Sequence, residues 1–185
     1  CLSFACVRKF CSKCGSPTRL SIPEGDNRQR AICTVCDHIH YTNPRVIVGC
    51  VPTYDGKLLL CKRAIEPRIN LWTLPAGFLE NGETAADGAA RESWEEARIT
   101  AEGIQLYRLY DVPYINQLYI FFLCQIQEGK FEPGPESYET RLYENSEIPW
   151  DEIAFPVVKE TIEEFFEDKK NNHFPVRMSE IERTW

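Results

Sequence analysis

The segment from Gly77 to Ile99 constrains the fold of this chain most, because it gathers acidic residues around one short helix. Thr84-Ala-Ala-Asp87 has the pattern of a capping box, which predicts a helix that begins directly after Thr84. Glu92, Glu95 and Glu96 then stand at i, i+3 and i+4 and share one helical face. This pattern is typical either of a solvated surface or of oxygen ligands for Mg²⁺ or Mn²⁺.

The residues before the helix favour the metal. Pro75-Ala-Gly77-Phe and Glu80-Asn-Gly82-Glu83 form a glycine-punctuated loop that delivers Glu83 and the helix start together. The order G-x₅-E-x₇-R-E-U-x-E-E, where U is a hydrophobe, is the Nudix box. The chain therefore resembles a Nudix hydrolase, a family that cleaves nucleoside diphosphates linked to a second group. The matching residues are Gly77, Glu83, Arg91, Glu92, Glu95 and Glu96.

Two residues depart from the pattern of the box. Ser93 replaces an aliphatic residue, and Trp94 or the next layer would have to supply the lost core contact. Arg98 replaces a glycine at the helix end, where a left-handed residue is common and costs a non-glycine residue about 1 kcal/mol or more. Either Arg98 carries that strain or the helix ends differently, and neither change removes a metal ligand.

The resemblance implies an α/β/α sandwich with a mixed sheet, and a role for each residue of the box. Glu92, Glu95 and Glu96 would bind Mg²⁺ or Mn²⁺ together with the backbone carbonyl of Gly77, and bound metal would activate water and neutralise phosphate oxygens. Glu83 and Arg91 would form a structural ion pair that ties the loop to the helix.

Three further residues are candidates by resemblance. Arg63 resembles a family arginine that reaches the substrate phosphate, although a plain surface arginine explains it equally well. Family members often draw one more glutamate from a later loop as a ligand or a base, and PGPESYET offers Glu136 and Glu139. A solvated loop acid is the alternative for each of them.

A second signal lies near the amino end. Cys11-Ser-Lys-Cys14 and Cys33-Thr-Val-Cys36 are two C-x₂-C knuckles separated by eighteen residues, which is a spacing typical of a four-cysteine zinc site. A disulfide pair is the alternative, but nothing in the chain indicates secretion. Four thiolates leave no open position, so the zinc is expected to be structural. Cys50, Cys61 and Cys124 are expected to be small core residues, and Cys1 and Cys6 receive no interpretation.

Composition limits the partners. The 185 residues contain 43% hydrophobic side chains and carry a net charge of -7, which argues against nonspecific binding to nucleic acid or anionic membranes. No apolar run approaches the length of a membrane span. We therefore expect a cytoplasmic protein with a small-molecule substrate, and a homodimer is left open. Because the chain begins without Met, a lost transit peptide, and hence a chloroplast location in a plant, is the alternative.

The chain divides into residues 1–42, with the zinc ribbon, and residues 43–185, with the Nudix domain and a C-terminal helix. Asn43-Pro44 marks the boundary. Alternating apolar patterns predict strands, and the amphipathic pattern from 155 predicts a helix. The predicted strands are 45–52, 57–62, 103–113, 117–126 and 140–143, and the predicted helix is 155–170.

The substrate is the least determined feature. Zinc ribbons precede the Nudix domain in NADH pyrophosphatases, but their S-Q-P-W-P-F-P signature is absent here. CxxCG, IHYTNPRVIVGC, LWTLPAGFLENGET and PGPES instead resemble bacterial and plant chloroplast enzymes that split FAD and ADP-ribose. That resemblance implies FAD first, ADP-ribose second and NADH or an NAD-capped RNA third. Tyr114 and Asn116, near a turn, are recognition candidates, and a binding module with a vestigial catalytic domain is the rival from another class.

Overall fold

The computed structural model describes residues 8–182, and Cys1 and Cys6 lie outside that range. The described chain forms two compact units, which meet in sequence between Pro44 and Arg45. No helix in residues 8–182 is both long and apolar enough to cross a membrane.

The first unit is a small antiparallel sheet. Its strands β1 (Thr18–Ser21), β2 (Arg30–Cys33) and β3 (Ile39–His40) lie in the order β1-β2-β3. Buried apolar surface comes chiefly from β2, so the unit has little hydrophobic core of its own. Domains this small usually need a metal or a crosslink for stability.

The second unit is built on an eight-stranded mixed sheet in the order β10-β5-β4-β9-β8-β11, on which β6 pairs with β5 and β7 with β4. Two pairs, β4 with β9 and β8 with β11, are parallel. The strands are β4 (Arg45–Tyr54), β5 (Lys57–Arg63), β6 (Trp72–Thr73), β7 (Ala76–Phe78), β8 (Ala101–Val112), β9 (Gln117–Ile126), β10 (Ser137–Tyr143) and β11 (Arg177–Glu180).

Two helices cover the two faces of this sheet. Side chains alternate along β5, so that Leu58 and Leu60 face α2 (Pro156–Lys170) while Leu59 and Cys61 face α1 (Ala85–Ala97). The larger core lies under α2, and Cys50, Cys61 and Cys124 are buried on the α1 side as expected. The expected α/β/α sandwich with a mixed sheet is confirmed.

Helix α1 begins and ends as its sequence dictates. The Thr84 side chain accepts a hydrogen bond from the Asp87 N–H at 3.2 Å and caps the amino end. At the carboxyl end Arg98 is left-handed, with φ 53° and ψ 30°, so the non-glycine residue carries the strain. Ser93 is fully buried and donates to the Ala89 carbonyl, but Trp94 is 51% exposed and does not replace the missing core contact.

A buried ion network joins α2 to the sheet. The guanidinium of Arg108, on β8, is fully buried and pairs with both Glu164 and Asp168 of α2. Asp168 also accepts hydrogen bonds from the Tyr107 hydroxyl at 2.8 Å and from two nitrogens of Arg177 at 2.8 and 2.9 Å. Since Arg177 lies on β11, Asp168 connects that edge strand to the helix.

Candidate active site

The acidic residues of α1 lie against β7. Glu92 and Glu96 are 9% and 6% exposed, whereas the side chain of Glu95 is 53% exposed. A Cβ atom built on Gly77 would overlap the Glu92 carboxylate, so the backbone of β7 approaches this carboxylate as closely as a glycine permits. The Ala76 N–H donates to Glu96 Oε2 at 3.3 Å.

Arg91 organises the same face. Its guanidinium donates to both carboxylate oxygens of Glu83, at 2.8 and 3.0 Å, and to the Phe78 carbonyl at 3.1 Å. One nitrogen also contacts Glu92 at 2.7 Å and Glu95 at 3.1 Å. The arginine therefore ties the loop before the helix to the helix, and it supplies the positive charge between two acidic side chains.

Ionising the buried carboxyls of this acidic face costs free energy. Burial, and next the charge of Glu92, raises the pKa of Glu96 to about 8 despite the Ala76 N–H and the charge of Arg63. Burial also raises the pKa of Glu92, and the hydrogen bond from Arg91 offsets only part of that effect. A bound cation would lower the free-energy cost of ionising two such carboxyls on one face.

The two loop glutamates differ in their electrostatic effect on this face. The loop packs on the end of α1, where the Gly134 N–H donates to the Glu96 carbonyl at 2.9 Å. The charge of Glu136 adds to the effect of burial in raising the pKa of both Glu92 and Glu96. Glu139 is exposed on β10, where its charge acts on Tyr143.

Arg63, at the end of β5, lies beside the acidic face. Its charge lowers the pKa of Glu96 and of Tyr119, and its guanidinium lies 5.2 Å from the centre of the Phe155 ring. The loop that follows β5 holds the side chain, because Nε donates to the Pro67 carbonyl at 2.9 Å. Arg63 thus connects the carboxylates to a half-buried aromatic surface.

The other recognition candidates lie near the start of β9. Tyr114 is half-buried in a 3-10 turn. Burial, with a smaller contribution from Tyr114, raises the pKa of Tyr119. Asn116 is left-handed, with φ 54°, and its carbonyl accepts the Arg45 N–H at 2.9 Å. Since asparagine tolerates this conformation, the turn itself accounts for Asn116. Three other aromatic residues of this region lie in the core: Trp72, Tyr107 and Tyr110.

Phe155 was not identified from the sequence, whereas Phe78 belongs to the aromatic residues that the sequence clusters around the box. Phe155 lies directly before the first turn of α2, and Phe78 follows Gly77 with its ring 49% exposed and 5.3 Å from the Arg45 guanidinium. The signal that marks both residues is an exposed or half-buried ring close to an arginine. That proximity cannot be read from the sequence, because it arises only when the strands pair.

The four cysteines of the first unit come together as one cluster. Their ligand atoms all lie within 4.8 Å of one another, and three sulfur pairs are 3.4 to 3.8 Å apart. Tetrahedral bonds of about 2.3 Å to zinc place sulfurs about 3.8 Å apart. Backbone N–H groups of Lys13, Val35 and Cys36 point at sulfurs, which stabilises thiolates. His38 is exposed, and His40 lies in β3.

Family models match both units. The model described as Nudix N-terminal, a zinc ribbon, matches residues 9–42, and the model of the NUDIX domain matches residues 43–168. The crystal structure of a NUDIX hydrolase from Nitrosomonas europaea is 47% identical, with a TM-score of 0.91, and the match covers 95% of this chain and 100% of that one.

More distant relatives include one matched by sequence and two matched by structure. Phosphatase NudJ of Escherichia coli is 37% identical over 89 residues, which span 45% of this chain and 58% of the length of that curated relative. An ADP-ribose pyrophosphatase from Streptococcus suis has a TM-score of 0.60 at 20% identity, over 74% of this chain and 99% of that one. The NUDIX domain of Shewanella oneidensis NrtR, crystallised with ADP ribose, has a TM-score of 0.61 at 16% identity, over 70% and 90% of the two chains.

Proposed function

Because the chain belongs to the Nudix hydrolase family, we propose that it is a Mg²⁺- or Mn²⁺-dependent diphosphatase whose active site is the acidic face of α1. The observation that carries the proposal is the close approach of Gly77 to the Glu92 carboxylate, beside the buried Glu96. Carboxylate oxygens are hard ligands, which are the ligands that these ions prefer.

The chemistry of these oxygen donors suits a divalent cation, whereas in residues 8–182 the four cysteines of the first unit are the one group of ligand atoms already gathered within 4.8 Å of one another. We assign the ligands to Glu92, Glu95, Glu96 and the carbonyl of Gly77. The raised pKa of Glu92 and of Glu96 supports this assignment, because a cation would offset the cost of ionising both carboxyls. Bound divalent ions supply a nucleophilic water and neutralise the phosphate oxygens. Arg91 and Glu83 act structurally by holding the loop on the helix.

Two further side chains act on the substrate. Arg63 binds a phosphate oxygen, since it is a half-buried cation whose charge already reaches Glu96. Glu136 is the better of the two loop acids for ligand or base, because its charge acts on both Glu92 and Glu96. Glu139, exposed near Tyr143, is the weaker candidate.

The substrate is a nucleoside diphosphate joined to a second group, with FAD, cleaved to FMN and AMP, as the first choice and ADP-ribose as the second. A flavin or adenine ring needs flat apolar partners, and half-buried Phe155 lies 5.2 Å from the Arg63 guanidinium, with half-buried Tyr119 and Tyr114 packed on the same core. ADP-ribose gains support from the names of the structural relatives. NADH or an NAD-capped RNA is third, and recognition by Asn116 is the least supported contact.

The first unit contributes a structural zinc site formed by Cys11, Cys14, Cys33 and Cys36. The close cluster of sulfurs supports the zinc site. Because the hydrophobic core of this unit is small, a bound metal would add stability that the core does not supply. We place the boundary between the zinc ribbon and the catalytic domain at residues 42 and 43. We further propose a cytoplasmic location, with the chloroplast as the alternative, and no nucleic-acid or membrane partner. A homodimer is left open.

One substrate panel tests the reaction and the substrate together. The enzyme is assayed with Mg²⁺ on FAD, ADP-ribose, NADH and diadenosine polyphosphates, and products are identified by chromatography. We expect kcat/KM to be highest for FAD or ADP-ribose, with cleavage at the diphosphate. A tenfold lead for NADH contradicts the substrate assignment, whereas binding of RNA at physiological salt without any hydrolysis supports a vestigial domain.

A further inference from the structure

Gly134 lies in the loop between β9 and β10, and its backbone packs against the carboxyl end of α1. The residue is buried, and its N–H donates to the Glu96 carbonyl at 2.9 Å. Two residues earlier, the Glu132 N–H donates to the Ala97 carbonyl at 3.0 Å. The last four carbonyls of a helix have no partner within the helix, so the loop supplies partners for two of them.

The contact between Gly134 and α1 leaves no room for a side chain. A Cβ atom built on Gly134 would lie 1.7 Å from the Glu95 carbonyl oxygen and 2.7 Å from the carbonyl carbon. These are backbone atoms, which cannot rotate away as the end of a side chain can, and real Cβ contacts are not shorter than 3.0 Å. A larger residue at position 134 would therefore force the loop and the helix apart by more than 1 Å.

The same loop fixes the backbone of Glu136. The Ser137 N–H donates to the Gly134 carbonyl at 3.0 Å, which closes a turn that contains Glu136. The Glu136 carbonyl accepts the Ala64 N–H at 2.8 Å, so the turn is also bonded to the residue that follows β5. The position of Glu136 thus depends on the contact that Gly134 makes with α1.

The helix is the more firmly packed side of this contact. Ala89 and Ala97 of α1 are completely buried against the sheet. In contrast, Glu132, Pro135 and Glu136 of the loop are exposed. Segments with few buried contacts yield first, so we expect the loop to move when the two are forced apart, and Glu136 to move with it.

We propose that Gly134 is a positioning residue, whose lack of a side chain lets the loop reach the carboxyl end of α1 and so sets the place of Glu136 relative to Glu95 and Glu96. The inference rests on the proposed metal-dependent reaction and on the part assigned there to Glu136. It goes beyond a structural turn, because Gly134 then affects catalysis through Glu136 and not through the stability of the fold.

A double-mutant cycle in the zinc-loaded full chain tests the proposal, with kcat measured on the substrate that leads the panel described above. Gly134→Ala is expected to lower kcat by about 100-fold, the cost of misplacing a catalytic group by about 1 Å. Combined with Glu136→Gln, it should be about as active as Glu136→Gln alone, because residues that act through one another are not additive. Mn²⁺ affinity, measured by electron paramagnetic resonance, should fall no further in Gly134→Ala than in Glu136→Gln.

Two further variants guard against an effect on folding alone. Glu136→Asp shortens the side chain by one methylene without touching Gly134, so it should lower kcat and keep the thermal midpoint. Gly129→Ala is the matched control, because Gly129 lies in the same loop, has φ +64° and would place a methyl group 2.5 Å from the Tyr54 ring. It should lower the thermal midpoint and keep wild-type kcat and Mn²⁺ affinity.

Several outcomes would overturn the proposal. Wild-type kcat in Gly134→Ala would do so, as would losses that multiply in the double variant, since Gly134 would then act independently of Glu136. Full activity in Glu136→Gln or in Glu136→Asp, or an equal loss of kcat in Gly129→Ala, would also contradict it. If the wild-type protein hydrolyses no substrate of the panel and binds no Mn²⁺, the proposed function fails and this inference fails with it.

Discussion

The carboxylate of Glu92 lies where any side chain on Gly77 would have to lie, so the strand before the helix and the acidic helix fit together only with a glycine at that position. Gly77→Ala is therefore expected to displace Glu92 and the carbonyl of residue 77 together. A displacement of about 1 Å in a catalytic group can cost about 100-fold in rate. We expect kcat to fall by roughly that factor, as measured in the Mg²⁺-dependent assay.

Gly103→Ala is the control for this variant. Gly103 has φ +62° and nothing within 4 Å of an added methyl group, so alanine there costs about 1 kcal/mol of stability without touching the site. It should remain fully active. Wild-type activity in Gly77→Ala would show that the close approach to Glu92 is not needed for catalysis.

Arg98 gives a prediction about stability. Glycine adopts its left-handed conformation without strain, so Arg98→Gly is expected to stabilise the protein by about 1 kcal/mol, equivalent to about 2–4 °C in Tm for a protein of this size. Arg98→Ala keeps the strain and loses the guanidinium that lies 5.4 Å from the Trp94 ring, so its Tm should not rise. Equal increases in both variants would mean that the side chain, and not the backbone, is the source of strain.

Asp168 is expected to be the acidic residue of α2 that matters most for stability. Asp168→Asn removes the charge that compensates fully buried Arg108, and breaking such a buried pair costs about 3–5 kcal/mol. Burial by itself raises the pKa of Asp168, but hydrogen bonds from Arg177, Tyr107 and Arg108 outweigh it and leave the pKa below its ordinary value. Urea unfolding of both proteins measures the difference.

The lowered pKa fixes the sign of the pH dependence. The stability that Asp168 contributes is present above the pKa of an unfolded aspartate and is lost as the pH falls through the lower folded value. The difference between wild type and Asp168→Asn should therefore be largest near neutral pH and shrink in acid. Glu163→Gln, an exposed change on the same helix, should leave stability nearly unchanged. A constant difference at all pH values contradicts the electrostatic account.

The cysteine cluster predicts the zinc content. Elemental analysis of purified protein should give close to one zinc per chain, and Cys33→Ser should lower that content because it removes one of four thiolates. Excess Mg²⁺ should not displace the zinc, since thiolates favour zinc and carboxylates favour magnesium. Cys124→Ala, in the core of the other unit, should retain it. A folded and active preparation without zinc would contradict the assignment.

Local patterns predicted much of this fold. The capping box at Thr84 gave the start of α1 to the residue, and alternation of apolar residues gave β4, β5 and β9 almost to their observed ends. Both signals depend on residues within a few positions of one another. The clustering of the four cysteines was equally predictable, because their spacing alone indicates a common site.

Long-range relations could not be predicted in the same way. Arg108 sits in a strand pattern and would pass for a surface residue, but acids of α2 some sixty positions later allow its burial. Strand β11 was missed because it is short and pairs in parallel with β8.

The central claim, that the acidic face of α1 is a catalytic metal site, is tested most directly by Glu95→Gln and Glu96→Gln. Each variant is treated with EDTA, restored with Mg²⁺, checked for zinc content and assayed beside wild type and Glu163→Gln. We predict a loss of roughly 100-fold or more in kcat for both site variants, as expected when a metal's charge stabilisation is removed, with native circular dichroism and full activity in Glu163→Gln. Full Mg²⁺-dependent activity in both site variants would contradict the account.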